Sequence, residues 1–297
     1  MLDSLIISLV PGVVTGCIYA IIGIGFVLVR KTSGVFNLAQ GQIVITGCYL
    51  FYSLCFDLGI PVWGGILLTL IMGIFIGLLI ERGLMRPLFG QPIMAAVVLT
   101  LALAILLEGL LSAGWGSDFL VAPRIFPRGV AISFGLATIS YDQLAIIIFT
   151  IIIFASIIFF FRRTRVGIAM MAVSEDQATS QSLGIGVARL VGVSWAIACS
   201  LGSFGGVLIT NISGIHYSMV EIGIKAIAVA IIGGFESIGG LLAAGILVGL
   251  IESFGIAFID PLFVGGSVRE ILVFVIMVLV LLIKPYGLFG WEKIERV

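Results

Sequence analysis

Residues 5–29 run without a single charged side chain, and comparable apolar stretches recur along almost the whole chain. Such runs decide the solvent before they decide the fold. A helix needs ~20 predominantly apolar residues to cross the hydrocarbon of a bilayer, and its backbone polar groups must be satisfied within the segment. By that measure the candidate spans are residues 5–29, 38–56, 62–80, 94–113, 144–161, 190–212, 222–233, 241–258 and 271–283. The seventh and the ninth are short, and a broken or re-entrant segment is tolerated only where protein or a polar cavity surrounds it. The expected fold class is an all-α integral membrane protein, a polytopic bundle of about eight or nine transmembrane helices, forming a single domain over residues 1–297.

Composition agrees: 61% of the residues are hydrophobic and 10% charged, against roughly 25% charged in an ordinary soluble domain. Fifteen basic and fifteen acidic side chains cancel, so no global field draws nucleic acid, and none is expected as a partner. The single histidine, His216, excludes paired-histidine metal sites. Cys17, Cys48, Cys55 and Cys199 lie in or beside apolar segments without C-x-x-C spacing and read as packed free thiols. The N-terminus carries Asp3 but no early Lys or Arg, so the basic n-region of a signal peptide is missing and the first span is read as retained.

Basic residues in short loops orient the spans. If nine spans alternate, Arg30 and Lys31, Arg82 and Arg86, Arg162, Arg163 and Arg165, and Lys284, Lys293 and Arg296 fall on one side. That side is read as the cytoplasm, with the N-terminus outside and the C-terminus inside. Arg124 and Arg128 conflict with the rule, but they sit in the longest external loop, residues 115–143. Its 129–141 portion alternates Val130, Ile132 and Phe134, then Leu136 and Thr138, a period that suits a small hairpin or extended segment.

The longest mixed polar run, RVGIAMMAVSEDQATSQSLGIG, falls in the loop 162–189 between the fifth and sixth spans. Ser174 with Gln177 three residues later is a capping-box pattern, and Glu175 and Asp176 in the first turn suit the helix dipole. Gly184 suits the left-handed residue that closes a helix. A short helix over residues 175–183 is expected. Connectors in bundles need roughly 2–8 residues, so the extra length points to a docked cytoplasmic partner.

Two clusters stand out among the glycine-rich spans. SGVFNLAQGQ puts Asn37, Gln40 and Gln42 at the mouth of the second span, where amides either bond between helices or line a polar route. GGFESIGG carries Glu236 and Ser237, but neither phosphate-binding glycine motif is present and no ATP site is expected. Lys225, Glu221, Glu108 and Glu252 sit at span ends, where snorkelling to the interface would place them.

The motifs GVFNLAQGQIVITGCYL, ERGLMRPLFGQP, GIAMMAVSEDQATSQSLGI, KAIAVAIIGGFESIGG followed by GLIE, and KPYGLFG resemble, in this order, those of the branched-chain amino acid permeases of bacterial ABC importers. The resemblance covers nearly the whole chain. It implies an inner-membrane transport subunit that does no covalent chemistry and has no cofactor of its own. ATP would be bound by cytoplasmic partner subunits. A second homologous permease subunit and an extracytoplasmic substrate-binding protein complete the implied assembly, which moves a small polar solute by alternating access. Relatives in the superfamily carry urea, short amides or simple sugars. The resemblance makes Ser174, Glu175, Asp176, Gln177 and Gly184 a coupling segment for the ATPase. Asn37, Gln40, Gln42 and Lys225 are candidates for the translocation path. Gln42 stands where the family commonly has an acidic residue, Glu236 where glycine, Gly239 where proline and Met171 where a basic residue is common. Two other classes, an ion-coupled transporter and a membrane-embedded enzyme, would need midspan carboxylates or a catalytic constellation that the motifs do not supply.

Overall fold

A computed structural model describes residues 2–116, 118–134, 137–260 and 269–290. It is helical apart from one small hairpin. In chain order the elements are α1 (Leu2–Ser33), α2 (Gln40–Tyr52), α3 (Val62–Ile80), α4 (Ile93–Trp115), strands β1 (Val130–Phe134) and β2 (Ala137–Ser140), α5 (Tyr141–Arg163), α6 (Arg165–Glu175), α7 (Gln177–Ser182), α8 (Val187–Ser213), α9 (Val220–Gly233), α10 (Ile238–Phe258) and α11 (Arg269–Ile283). Among the described residues, six helices are long and apolar enough to cross a membrane: α1, α3, α4, α5, α8 and α10. The shorter α2, α9 and α11 occupy the remaining expected segments, and α2 and α3 each continue into a π-helical turn, Ser53–Asp57 and Glu81–Met85.

Prolines punctuate the apolar runs where the backbone allows it. Pro61 and Pro92 stand at the N-caps of α3 and α4, where their missing N–H costs nothing. Pro11 lies within α1, a position tolerated in apolar helices whose neighbours re-satisfy the freed carbonyl. β1 and β2 pair antiparallel with Ser133 opposite Thr138, as the alternation within residues 129–141 predicts; residues 135–136 lie outside the described residues.

The chain divides into two compact units, each assembled from separate stretches of sequence. In the unit of Ile24–Ile125 and Ala155–Ile224, α8 is the central post. Its 27 residues include Ser194, Ser200, Ser203, Gly202 and Gly206, all buried. Small residues let α2 and α3 approach at backbone distance: a Cβ on Gly47 would land on the Ser203 backbone, and one on Gly206 on the Val44 carbonyl. Val29, Ile43, Ile80, Leu103, Val191 and Trp195 belong to the core packed around this post. By contrast α4 is only 22% buried over its apolar window, the pattern of a helix that faces lipid.

In the unit of Met1–Gly23, Phe126–Phe154 and Lys225–Val297, α1 and α10 cross through two small-residue pairs. Gly12 meets the backbone at Gly249, and Gly16 meets it at Gly245, so a G-x-x-x-G stripe on each helix forms the crossing. The segment after α11 returns to the GGFESIGG turn. Leu288 N–H donates to the Ile232 carbonyl at 2.7 Å, and Ser237 caps α10 by accepting from Gly240 N–H at 2.9 Å. The turn that sequence reading weighed against a phosphate loop is packed by the chain's own tail. Lys293 and Arg296 lie outside the described residues.

Candidate functional site

Three polar constructions among the described residues involve the candidate site residues. The first is the break between α1 and α2. Gly34 (φ 72°) ends the helix, and the Asn37 side-chain oxygen accepts the Ala39 N–H at 3.1 Å, an Asx turn that starts the next one. The Asn37 amide donates to Gln40 Oε1 at 2.9 Å, and Gln40 Nε2 donates to the Ala198 carbonyl of α8 at 3.2 Å. Both residues are fully buried. Asn37 lies before α2, so the bond spans the turn that starts the helix rather than a shared helix face. Gln42, 8% exposed, stands apart from that pair. The amides therefore meet protein partners, which is the helix-bonding alternative for Asn37 and Gln40.

The second is the polar connector. Thr164 caps α6, accepting from Gly167 N–H at 3.0 Å. Ser174 is not a cap: it lies inside α6 and its hydroxyl donates back to the Met171 carbonyl at 2.7 Å. The cap of the next helix is Asp176, which accepts from the Thr179 N–H at 3.0 Å and the Thr179 hydroxyl at 2.7 Å. These bonds, the backbone one first, hold the Asp176 carboxyl below its ordinary 3.8. The expected helix over 175–183 is thus corrected to two helices meeting at Asp176, with Glu175 closing the first. The reason is that Asp176, with its charged acceptor and an extended backbone (φ −152°), competes with Ser174 for the same frame and wins. Gln177, cast as the reciprocal partner in a capping box, instead donates across to the Thr32 carbonyl of α1 at 2.6 Å. Thr32 in turn donates to Ser194 of α8 at 2.8 Å. Gly184 has φ 83° and follows α7 as expected. Glu175, Asp176 and Leu183 are exposed, Leu183 by 76%.

The third lies in the other unit and corrects the snorkelling expectation for two residues. Lys225 of α9 is 4% exposed and Glu252 of α10 only 1%. Lys225 Nζ lies 3.1 Å from Glu252 Oε1 and 3.0 Å from Glu270 Oε2 at the start of α11. The second oxygen of Glu252 accepts the Tyr19 hydroxyl of α1 at 2.7 Å. Charges this deep are retained only when paired and hydrogen-bonded, and these are. Glu108 and Glu221 are exposed. Tyr19 and Glu270 were missed in the sequence, because nothing in their local spacing announces partners so distant along the chain. Glu81 was missed too: it is 1% exposed and binds Arg86 through both carboxylate oxygens, at 3.1 and 3.3 Å.

The described residues hold no group of three His, Cys, Asp or Glu able to bind a metal ion. The chain matches the model of the family described as branched-chain amino acid transport system / permease component over residues 8–281. It belongs to that family. Among curated relatives it is similar to the high-affinity branched-chain amino acid transport system permease protein BraD of Pseudomonas aeruginosa, 27% identical with 98% of this chain and 97% of the relative covered. It is also similar to the corresponding LivH of Salmonella typhimurium, 28% identical over 96% of each. A probable branched-chain amino acid transport permease protein LivH of Methanocaldococcus jannaschii is 27% identical, covering 93% of this chain and 90% of its own. The fold is similar to that of a solved chain of PsaBC from Streptococcus pneumoniae in complex with Fab, with TM-score 0.51 at 15% identity, covering 94% of this chain and 91% of that one. The family assignment makes the chain a permease component of a transport system, and its apolar helices make it a multi-pass membrane protein.

Proposed function

We propose that this permease is the membrane-spanning subunit of an ATP-driven importer for branched-chain or chemically related amino acids. The observation that carries the reading is the family match across residues 8–281, joined to end-to-end similarity with permeases named for those substrates. ATP is bound by separate cytoplasmic subunits, substrate arrives on an extracytoplasmic binding protein, and a second homologous permease completes the path. In a bacterial cell membrane, counting α2, α9 and α11 as crossings gives nine, with the N-terminus outside, the C-terminus inside and the basic helix ends in the cytoplasm.

The segment from Glu175 to Gly184 serves as the coupling element. Its exposed acidic corner and the 76% exposed Leu183 offer a surface to the ATPase, and the Gln177–Thr32–Ser194 bonds tie it to α1 and α8. Because Asp176 is a cap, Asp176→Lys would unravel α7 as well as reverse charge; Glu175→Lys tests docking alone. For the path the candidates are Asn37, Gln40, Gln42 and Lys225; Asn37, Gln40 and Lys225 hold protein partners at rest, so each would have to exchange a partner for the solute.

The test is reconstitution of the complex in proteoliposomes with labelled leucine. Uptake that needs ATP and the binding protein, and survives collapse of the membrane potential, is expected. ATP-independent uptake abolished by an uncoupler would identify an ion-coupled carrier instead. A cysteine at Ser133 should react with an impermeant reagent from outside; labelling from the cytoplasmic side alone would reverse the topology.

A further inference from the structure

We propose that the cleft at the C-terminal end of α3 is a site for an anionic phospholipid. An acyl chain lies against Phe75, Leu78 and Leu79, and the phosphate meets the Arg82 guanidinium. The inference needs only that α3 crosses the membrane, and it stands apart from the importer reading.

The cleft has a volume of about 430 Å³ and is lined by Phe75, Leu78, Leu79, Arg82 and Gly83, within the ~300–1,000 Å³ of ligand sites. These residues recur at helical spacing, so three apolar side chains and one cation share a face. Gly83 leaves the space beside Arg82 open: nothing lies within 4 Å of where its Cβ would stand. At the π-helical turn Glu81–Met85 the charges divide. Glu81 is buried and gives both carboxylate oxygens to Arg86, at 3.1 and 3.3 Å. Arg82 is exposed and makes no hydrogen bond or ion pair among the described residues. A guanidinium at the end of an apolar span, with the neighbouring carboxylate taken, lacks an anion. Its planar fork matches a phosphate.

The outward face of α3 argues for lipid rather than protein. Its small residues are spent inward: a Cβ on Gly73 would meet the Ser200 backbone of α8, and one on Gly77 the Trp195 backbone. Helix contacts in membranes favour such small residues. The face left outward instead carries exposed Trp63, Leu67, Ile71, Phe75 and Leu79. Trp63 opens that stripe and Arg82 closes it, about 28 Å apart at the ~1.5 Å rise of a helix. The hydrocarbon core is ~30 Å thick, so an indole and a guanidinium stand at the two headgroup levels, where such side chains concentrate. A zwitterionic headgroup brings its own ammonium to compete for the phosphate. An anionic one does not, and this sets the preference.

Arg82→Gln is the informative variant, because the exposed side chain ties no other described residue in place. The purified complex is placed in nanodiscs of phosphatidylcholine mixed with phosphatidylglycerol, then extracted in detergent, and its retained lipids are counted by native mass spectrometry. The wild type should retain phosphatidylglycerol in preference to phosphatidylcholine. Arg82→Gln should lower the retained phosphatidylglycerol about tenfold, the worth of one charge-assisted contact, with the subunits still co-purifying. Leu79→Trp, which fills the cleft and keeps the charge, should lower it too. Arg163→Gln, which removes an exposed cation from the end of α5, should not. Equal retention of both lipids by the wild type, or of phosphatidylglycerol by wild type and Arg82→Gln, overturns the site. An equal loss in Arg163→Gln also overturns it, because the effect is then general surface charge. Dissociation of the Arg82→Gln complex with lipid retained by Leu79→Trp makes Arg82 a subunit contact and overturns it as well. So does crosslinking of Leu79→Cys to another subunit, which puts protein in the cleft.

Discussion

At the α1–α2 break Asn37 and Gln40 are buried amides, while in the unit that contains α10 and α11 Lys225, Glu252 and Tyr19 are buried together, with the half-exposed Glu270 beside Lys225. The amide pair closes on itself and on the Ala198 carbonyl. It needs no ion, carries no charge, and its geometry is fixed by one turn of chain. The charged cluster joins four helices and ends in a half-exposed carboxylate. Charge does occur in the first unit, but Glu81 meets Arg86 only five residues away at a helix end, and Arg86 is 45% exposed. Neutral donors and acceptors hold helices together cheaply; a buried charge spread over distant helices holds them only while its counter-charges stay in place.

The largest effect should come from breaking the Lys225–Glu252 pair. Lys225→Met takes the ammonium away from the buried Glu252 carboxylate, a loss of about 3–5 kcal/mol, read as a large fall in melting temperature or failure to assemble; Glu252→Gln should cost less, because Glu270 remains 3.0 Å from Lys225. Stability equal to wild type would show that the cluster is solvated rather than buried.

Gln40→Leu should cost less, about 1–3 kcal/mol, because it strands the Asn37 amide but no charge. Transport should decline only in step with stability. A transport defect at unchanged melting temperature would return Gln40 to the path and erase the contrast between the two clusters.

The smallest effect lies at the connector, where polar groups meet water. Asp176→Ala should weaken α7, and Asp176→Asn, which keeps an acceptor, should weaken it less, read as faster amide exchange across residues 177–182. With its pKa depressed below 3.8, the Asp176 carboxylate contributes above the unfolded value, and the contribution is lost as pH falls through the folded one. Coupling of ATP hydrolysis to transport should therefore be flat from pH 5 to 8 on this account. A midpoint in that window that vanishes in Asp176→Asn would refute the cap.

Much of this was legible before any coordinates. The run 62–80 became α3 with the same limits, because an apolar stretch between Pro61 and Glu81 leaves a helix little freedom in its bounds. The hairpin of β1 and β2 followed from alternation. The connector was legible only as helix and cap: Ser174 and Asp176 are both good caps two residues apart, the Asp176 carboxylate takes the cap, and the Gln177 bond to Thr32, 145 residues away, leaves no local signal.

The sequence by itself determined the solvent, the helical segments and the family, since each depends on near neighbours or on motif order along the chain. Tertiary structure alone decided which polar residues are occupied and which remain open. Lys225 and Glu252 are 27 residues apart, and Tyr19 and Glu252 are 233 apart. Each reads as an ordinary side chain of its own span until packing removes water and brings the others to it; in the low dielectric of a helix bundle, that choice of neighbours is what sets a buried charge's energy.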